Sequence, residues 1–333
     1  MISYAQNFED VMLNRVFRGR SSGFYVDVGA MDPTDGSVTK EFYDRGWSGM
    51  NIEPDLRFHT KLISERVRDV NLSTAVGETD EVRPIYFFES QGISTFNTRF
   101  RDYFAERGFS WTEVDCEVTT LAEVCTKHVS GPIDFLKIDA EGWEGPIVRG
   151  GDWSRFRPTV LVIEATQPYS HTPAWHEWEP FITHECGYVF VYFDGLNRFF
   201  VRQEDRDLGS LFAYPPNVLD DFQSYATVRA EQRADAATTR LEQLKSVASA
   251  QSTTPANGRK NLEVLHGVLK RQGRQLRSLV EERRRMVSQI ESLHVRIDEL
   301  QQKLASLGSE LLEARLWVGR LSEKLASHGD HAR

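Results

Sequence analysis

Apolar residues in the first two-thirds of the chain come in short runs, each closed by an acid or a glycine. Phe24, Tyr25, Val26 and Val28 form one such run, with Asp27 and Gly29 at its end. Ile133, Phe135, Leu136 and Ile138 form another that stops at Asp139, and PTVLVIEA (158–165) a third that stops at Glu164. Unbroken runs this short predict strands buried on both faces of a parallel sheet. WSGMNIEP (47–54) and RDVNLSTAVG (68–77) read as strands too, and VRPIYFFE (82–89) as an edge strand because Pro84 cannot donate to a ladder. Between the strands the period lengthens. Residues 4–18 put Phe8, Met12, Leu13, Val16 and Phe17 on one helical face. Helices are also predicted after Ser37 as a cap, with Gly46 as stop, at 55–66 from a cap near Asp55, at 119–128, after Glu144, and over Trp175 to Ile182. A hairpin at 187–205, turning at Asp194 to Asn197, closes this part. Alternating strands and helices predict an α/β fold with a doubly wound parallel sheet.

The last third carries a different rhythm. From Leu262 a seven-residue frame runs over 64 residues through Leu269, Leu276, Arg283, Ile290, Ile297, Leu304, Leu311 and Val318 to Leu325. Its partner positions hold Leu265, Gln272, Leu279, Met286, Leu293, Leu300, Leu307, Ala314 and Leu321, so only Arg283 and Gln272 interrupt it. This is a coiled-coil pattern, and as a helix it would reach roughly 95 Å. A weaker frame passes through Ala230, Ala234, Ala237, Leu241 and Leu244 and is broken at Pro255 and Gly258. The predicted organisation is a globular body at 1–225, a partly helical linker at 226–260 and a long α-helical coiled coil at 261–327. Leucines at both core positions leave dimer and trimer open. The exposed stripe predicts a homo-oligomer, a different coiled-coil partner, or a helix folded back along its own body.

Composition sharpens the division. Residues 1–225 hold 21 Lys+Arg against 36 Asp+Glu, while 226–333 hold 19 against 13 and a single aromatic residue, Trp317. A body of that size buries one full core. Cys116, Cys125 and Cys186 lack metal-ligand spacing and suit a reducing compartment. No run approaches the roughly 20 apolar residues of a membrane span, and the first residues, MISYAQNFED, do not read as a signal peptide. A cytoplasmic protein without nucleic-acid partners is expected. The basic run Lys270 to Arg285 is a solvated helix face or a contact for an acidic surface, including peripheral attachment at the inner membrane face.

Candidate chemistry gathers where the strands end. Asp27, Gly29 and Ala30 close the first, and open α/β sheets bind ligands at that edge. Gly29 allows a sharp turn and close approach of a ligand to the backbone. The sequence continues Met31-Asp32-Pro33, so the dinucleotide fingerprint is missing and a nucleoside without pyrophosphate is favoured. Glu53 follows 24 residues later at the end of the second strand, where an acid holds ribose hydroxyls. Asp139, Glu141 and Glu144 crowd the end of another strand, and their mutual repulsion points to function rather than a plain turn, with Lys137 offsetting some charge. Asp139 and Glu141 are the candidates for taking a proton. The same acids are of the type that holds a divalent cation such as magnesium, without a decisive ligand set. Gln6, Glu9 and Asp10 read by pattern alone as an exposed polar face. His171, His176 and His184 read as packed or surface histidines.

Taken together, YAQNFEDV (4–11), GFYVDVGAMDP (23–33), NIEP (51–54), FLKIDAEGWE (135–144), VIEAT (162–166) and YFDGLNRFFV (192–201) resemble the FkbM family of S-adenosylmethionine-dependent O-methyltransferases over residues 1–225. The resemblance implies a class I methyltransferase fold with a Rossmann-like seven-stranded sheet. It implies S-adenosyl-L-methionine as donor, with Asp27, Gly29 and Ala30 near its methionine part, Glu53 on the ribose, and Ser73, Thr74 and Ala75 near the adenine. It further implies that Gln6, Glu9 and Asp10 approach donor or acceptor, and that Asp139 orients the donor or acts as base beside Glu141. The acceptor implied is a hydroxyl of a sugar or glycan in bacterial polysaccharide or glycolipid synthesis. The competing reading is a methyltransferase-fold scaffold that works through its coiled coil. An NAD-linked sugar dehydrogenase is disfavoured by the missing glycine pattern.

Overall fold

The computed structural model describes residues 1–88, 92–167 and 172–251. The heptad frame from Leu262 to Leu325, the break at Pro255 and Gly258, the basic run and His171 lie outside them. Residues Met1–Arg233 form one compact unit.

The chain opens with a two-residue strand, β1 (Ile2–Ser3), and helix α1 (Glu9–Val16). This helix is shorter than its apolar pattern because Phe8 sits before it in a left-handed conformation, φ 64°. Strand β2 (Phe24–Val28), helix α2 (Lys40–Asp44), strand β3 (Ser48–Ile52), helix α3 (Leu56–Glu65) and strand β4 (Val70–Leu72) then alternate as expected. Asp55 caps α3 by accepting from the Arg57 amide. Ser37 does not cap α2. The cap position is Thr39, and the Ser37 hydroxyl instead accepts from Arg66 at 2.9 Å.

The predicted strand over 68–77 is in fact two. After β4 the chain crosses to a second sheet built from β5 (Ala75–Gly77), β6 (Glu81–Phe88), β7 (Ile93–Thr95) and, beyond helix α4 (Thr98–Glu106), β8 (Thr112–Thr120), in the order β5-β8-β6-β7. Strand β6 is therefore internal rather than an edge. Pro84 is tolerated because β7 pairs only with Tyr86 to Phe88, leaving Pro84 with β8 on one side alone.

Helix α5 (Leu121–His128), strand β9 (Phe135–Ile138), helix α6 (Glu144–Arg149), strand β10 (Val160–Glu164) and the hairpin of β11 (Tyr188–Phe193) and β12 (Asn197–Arg202) complete the main sheet. The expected helix around Trp175 is instead a 3-10 turn at Trp175–Glu177 and a π-helical turn at Phe181–Glu185, separated by Pro180. A short β13 (Gln223–Ser224) pairs with β1 and leads into helix α7 (Tyr225–Gln251). Among the described residues no helix is long and apolar enough to cross a membrane.

The main sheet has seven strands in the order β11-β12-β10-β9-β2-β3-β4. Five are parallel, and β12 runs antiparallel to both its neighbours. Alternate side chains serve two cores. Tyr25, Phe135, Val162 and Phe199 meet Met12, Leu13 and Phe42 on one face. Val26, Leu136, Ile138, Leu161 and Ile163 meet Leu121, Val124, Ile147 and Val148 on the other. Each such side chain contributes roughly 1.5–3 kcal/mol by burial.

One buried cation shapes the loop after β2. Arg66 is 1% exposed and donates to the Pro33 carbonyl, Ser37 and Tyr25, holding residues 33–39 against the sheet. Replacing Arg66 with Ala leaves these acceptors buried and unpaired. A loss of about 3 kcal/mol in unfolding free energy is expected, read by urea denaturation. Unchanged stability would remove Arg66 from this role.

Candidate active site

Strand order reverses between β2 and β9, because the chain leaves β2 toward β3 and returns on the opposite side. The carboxyl ends of adjacent strands diverge there, which opens a crevice. Gly29 and Asp139 flank it. Gly29 has φ +74°, and a Cβ built on it would lie 1.8 Å from the Asp139 carbonyl oxygen. The glycine is thus required by packing of the two strand ends against each other, which the sequence reading had assigned to ligand approach. The Gly29 and Ala30 amides both donate to the Ile52 carbonyl, so this turn also grips β3.

Lys137 lies beneath the turn. Register sets it directly beside Asp27 on the neighbouring parallel strand. Its ammonium donates to the Gly29 carbonyl at 2.6 Å and sits 3.3 Å from Asp27 and 3.5 Å from Asp139. Burial alone would lower the pKa of Lys137, but the charges of Asp27 and Asp139 outweigh it and hold the group cationic. Asp27 is 1% exposed and accepts from Thr39, while its Oδ1 has the ammonium nearby but no hydrogen bond. Burial raises the Asp27 pKa and the Lys137 charge counters it.

Glu53 closes β3 as expected, but its two carboxylate oxygens already accept from the Met31 and Asp55 amides, each at 2.8 Å. Each oxygen retains a second lone pair. Thr74 and Ala75 line a cleft with Gly29, Pro54, Phe96, Ala140 and Trp143. Ser73 lies in the adjoining groove with Pro54 and Ile85. Trp143 and Phe96, whose rings are 5.2 Å apart, are wall residues that the sequence reading missed. Phe96 arrives from the second sheet, whose strand β8 was not foreseen. The alternation of Val114, Cys116 and Val118 with Glu113, Asp115 and Glu117 was the available signal for β8.

The acidic turn after β9 is braced from inside. Glu144, 3% exposed, accepts from the Ala140 and Gly142 amides at 2.9 and 3.1 Å. Glu141 holds φ +51°, and Thr95 of β7 donates to its carbonyl at 2.8 Å. Glu164 ends β10 beside Asp139, within hydrogen-bonding reach of its carboxyl. The Asp139 side chain is 35% exposed and Glu141 is half-buried, whereas Glu144 and Glu164 are buried. Burial and the neighbouring Asp139 charge push Glu141 up to about 8, and Glu164 well above the usual carboxylate range. Glu144 rises to about 7, chiefly by burial. Among the described residues no group of three or more His, Cys, Asp or Glu is arranged to hold a metal ion.

The three polar residues near the start of the chain divide. Gln6 is exposed. Asp10 is fully buried, contrary to the exposed face read from pattern, and accepts from the Ser3 hydroxyl and the Tyr4 and Ala5 amides. Glu9 is buried as well, bonded by the Asn197 amide group at 2.7 Å and the Asn7 backbone at 2.8 Å. Burial raises Glu9 and Glu53 to about 7 and Asp10 to about 6.

These raised values set the pH dependence of stability. A carboxyl whose folded pKa exceeds its unfolded value of 4.5 binds its proton more tightly when folded. Its contribution is full below pH 4.5 and is lost as pH rises through about 7 to 8. Acids lowered by arginine pairing, such as Glu204 at about 2, act in a more acidic window and do not offset this. Unfolding free energy is therefore expected to fall from pH 5 toward about pH 8, and Glu9→Gln to flatten part of that slope. A profile that rises over this interval would contradict the assignment.

No curated protein matches the chain. Residues 27–190, from the strand that carries Asp27 to the first strand of the hairpin, match the family model of the methyltransferase FkbM domain, which supports reading this part of the chain as a methyltransferase.

Proposed function

We propose that the chain is an S-adenosyl-L-methionine-dependent O-methyltransferase acting on a hydroxyl of a sugar or glycan. The observation that carries this reading is the meeting, at one switch point, of a largely apolar cleft and an acidic turn backed by a buried lysine. The sheet order, with β12 of the hairpin antiparallel to both its neighbours, supports the class I fold. The residues present fit the donor: Glu53 has lone pairs for ribose hydroxyls, Pro54, Ala75 and Trp143 offer flat apolar walls, and the Asp27–Lys137 pair fixes the Gly29 turn.

The donor, when bound, supplies an electrophilic methyl group. The protein's part is to hold an acceptor oxygen about 3–3.5 Å from that carbon and to accept its proton. Asp139 is suited to the second task because it is open to the crevice and oriented by Lys137 at 3.5 Å. Glu141, held up to about 8, stays protonated at neutral pH and serves as a hydrogen-bond donor to the acceptor rather than as the first base. This modifies the equal weighting of the two acids from sequence. Magnesium, a polysaccharide or glycolipid pathway and a glycosyltransferase as coiled-coil partner are parts of the proposal that the resemblance suggests, while a cytoplasmic location rests on cysteine usage and peripheral membrane contact on the basic run Lys270 to Arg285.

The tail completes the reading. A stripe of leucines over residues 261–327 suits self-association or a coiled-coil partner, and would space the catalytic body from a polymer under synthesis. The division into a body, a linker at 226–260 and a coiled coil is proposed on the same ground.

Two outcomes test these statements. In the first, Glu53→Ala should weaken S-adenosylhomocysteine binding by roughly 1.5–3 kcal/mol in calorimetry. Asp139→Asn should retain binding but cut turnover about 10²-fold or more in a donor-consumption screen against glycans and nucleotide sugars. Glu141→Gln, which keeps a donor, should be milder. Full turnover in Asp139→Asn would dismiss it as the base. In the second, light scattering on the full chain should give a dimer or trimer at micromolar concentration, and Leu293→Asp with Leu300→Asp a monomer. A wild-type monomer would leave only the hetero-partner form of the tail reading.

A further inference from the structure

The segment that carries Gln6, Glu9 and Asp10 is not anchored by local sequence. Residues Ile2 to Ala5 form a short strap laid on the body, the chain bends at Gln6 to Phe8 before α1, and much of what holds the strap comes from the far end of the compact unit. Ile2 and Ser3 pair in parallel with Gln223 and Ser224. Tyr4 stacks on Tyr225 with ring centroids 4.8 Å apart, and Phe8 meets Phe222 at 5.1 Å. On its other side the strap touches the loop that follows β2, through a bridge between Ala5 and Gly36. That loop is contacted by the tail helix as well: Arg229, one turn into α7, lies 3.1 Å from Asp35.

The strap in turn reaches the site. Asp10 collects the Ser3 hydroxyl and the Tyr4 and Ala5 amides. Asn7 donates its backbone amide to Glu9 and its side chain to the Asp194 carbonyl in the hairpin turn. Glu9 accepts from Asn197. Contacts therefore run from the first turn of α7 through the strap to the loop after β2 at Gly36, and that loop reaches the buried pair under Gly29 through the Thr39 hydroxyl on Asp27.

We infer that Phe222 and Tyr225 are positioning residues: they latch the strap and the loop after β2 in place, so that donor affinity depends on the root of the tail helix. The inference rests on the donor reading above only in its last clause. It gives the tail a role besides spacing. The side chains from Ala230 to Arg233 are exposed, so the helix leaves the latch with that length open to whatever engages the tail. Displacement at the root of α7 has a direct path to the strap, because Tyr225 of α7 meets Tyr4 and the residues just before it, Phe222 to Ser224, supply a second ring contact and a strand pair.

The magnitudes are modest and therefore measurable. An aromatic pair is worth up to about tenfold in a local opening equilibrium. Hydrogen exchange on the full chain reads that opening directly. Phe222→Ala and Tyr225→Ala should each raise exchange of the Tyr4, Ala5 and Asn7 amides, and of Thr34 and Asp35, by about tenfold, while exchange in β9 and β10 stays at the wild-type level. Tyr225→Phe keeps the ring and should restore protection. In calorimetry the alanine variants should bind S-adenosylhomocysteine about tenfold more weakly, with affinity recovered in Tyr225→Phe. Unchanged strap exchange in both alanine variants overturns the latch. Looser strap exchange with unchanged affinity overturns its coupling to the site. If the wild-type chain itself fails to bind S-adenosylhomocysteine, the donor reading falls, and the exchange result alone decides the latch.

Discussion

A buried ammonium between two carboxylates organises this molecule. Lys137 sits within 3.5 Å of Asp27 and Asp139 and donates to the Gly29 carbonyl, so a single charge ties the ends of β2 and β9 together. Those two strands flank the switch point, and every other part of the site is built outward from them. Without the cation, Asp27 would be a carboxylate 1% exposed with only Thr39 to bond it, a state that costs several kcal/mol. The ion pair thus constrains register: a one-residue slip of β9 would bring Leu136 or Ile138 beside Asp27 and leave both charges stranded.

Around that pair, carboxylates are used as braces for backbone. Asp10 holds the amides of Tyr4 and Ala5, Glu53 those of Met31 and Asp55, and Glu144 those of Ala140 and Gly142. Each closes a short loop at the crevice that has no ladder of its own to satisfy its N–H groups. The arrangement concentrates acids in a buried rim, which explains why so many of them are raised by burial while Lys137 stays charged. Asp139 and Glu141 keep some exposure where Glu144 and Glu164 are buried. That contrast separates the carboxylates a solute can reach from those that shape their surroundings.

The second sheet borders the cleft, and the N-terminal strap is fastened to the body by the far end of the compact unit. Thr95 binds the Glu141 carbonyl and Phe96 walls the cleft, while the strap is held by β13 and the first turn of α7. Both are long-range arrangements. They bring the termini of the compact unit and a mid-chain insertion to the same few strand ends.

How much of this was legible in the sequence depends on the range over which each feature is decided. Strands β2, β9 and β10 are short apolar runs buried on both faces, and the hairpin turn at Asp194 is a local turn signal. Hydrophobic burial and turn chemistry act within a few residues, so these elements, the α/β class and the acids at the strand ends follow from the chain alone. Proximity does not. Glu9 and Asp10 read as a solvated helix face because their partners, Ser3, Tyr4 and Asn197, are fixed by a strap and a hairpin, the last 188 residues away. Strand β8 escaped because its charges alternate with only three apolar residues, and its ladder partner β6 supplies what its own composition lacks. Gly29 announced a turn, yet only the packed structure shows that the Asp139 carbonyl fills the space where a Cβ would be. Local pattern therefore determined which elements form and which end bears the chemistry. The tertiary structure alone decided which acids are braces and which face the crevice, because burial and hydrogen-bond partners are set by segments that meet only when the sheet is assembled.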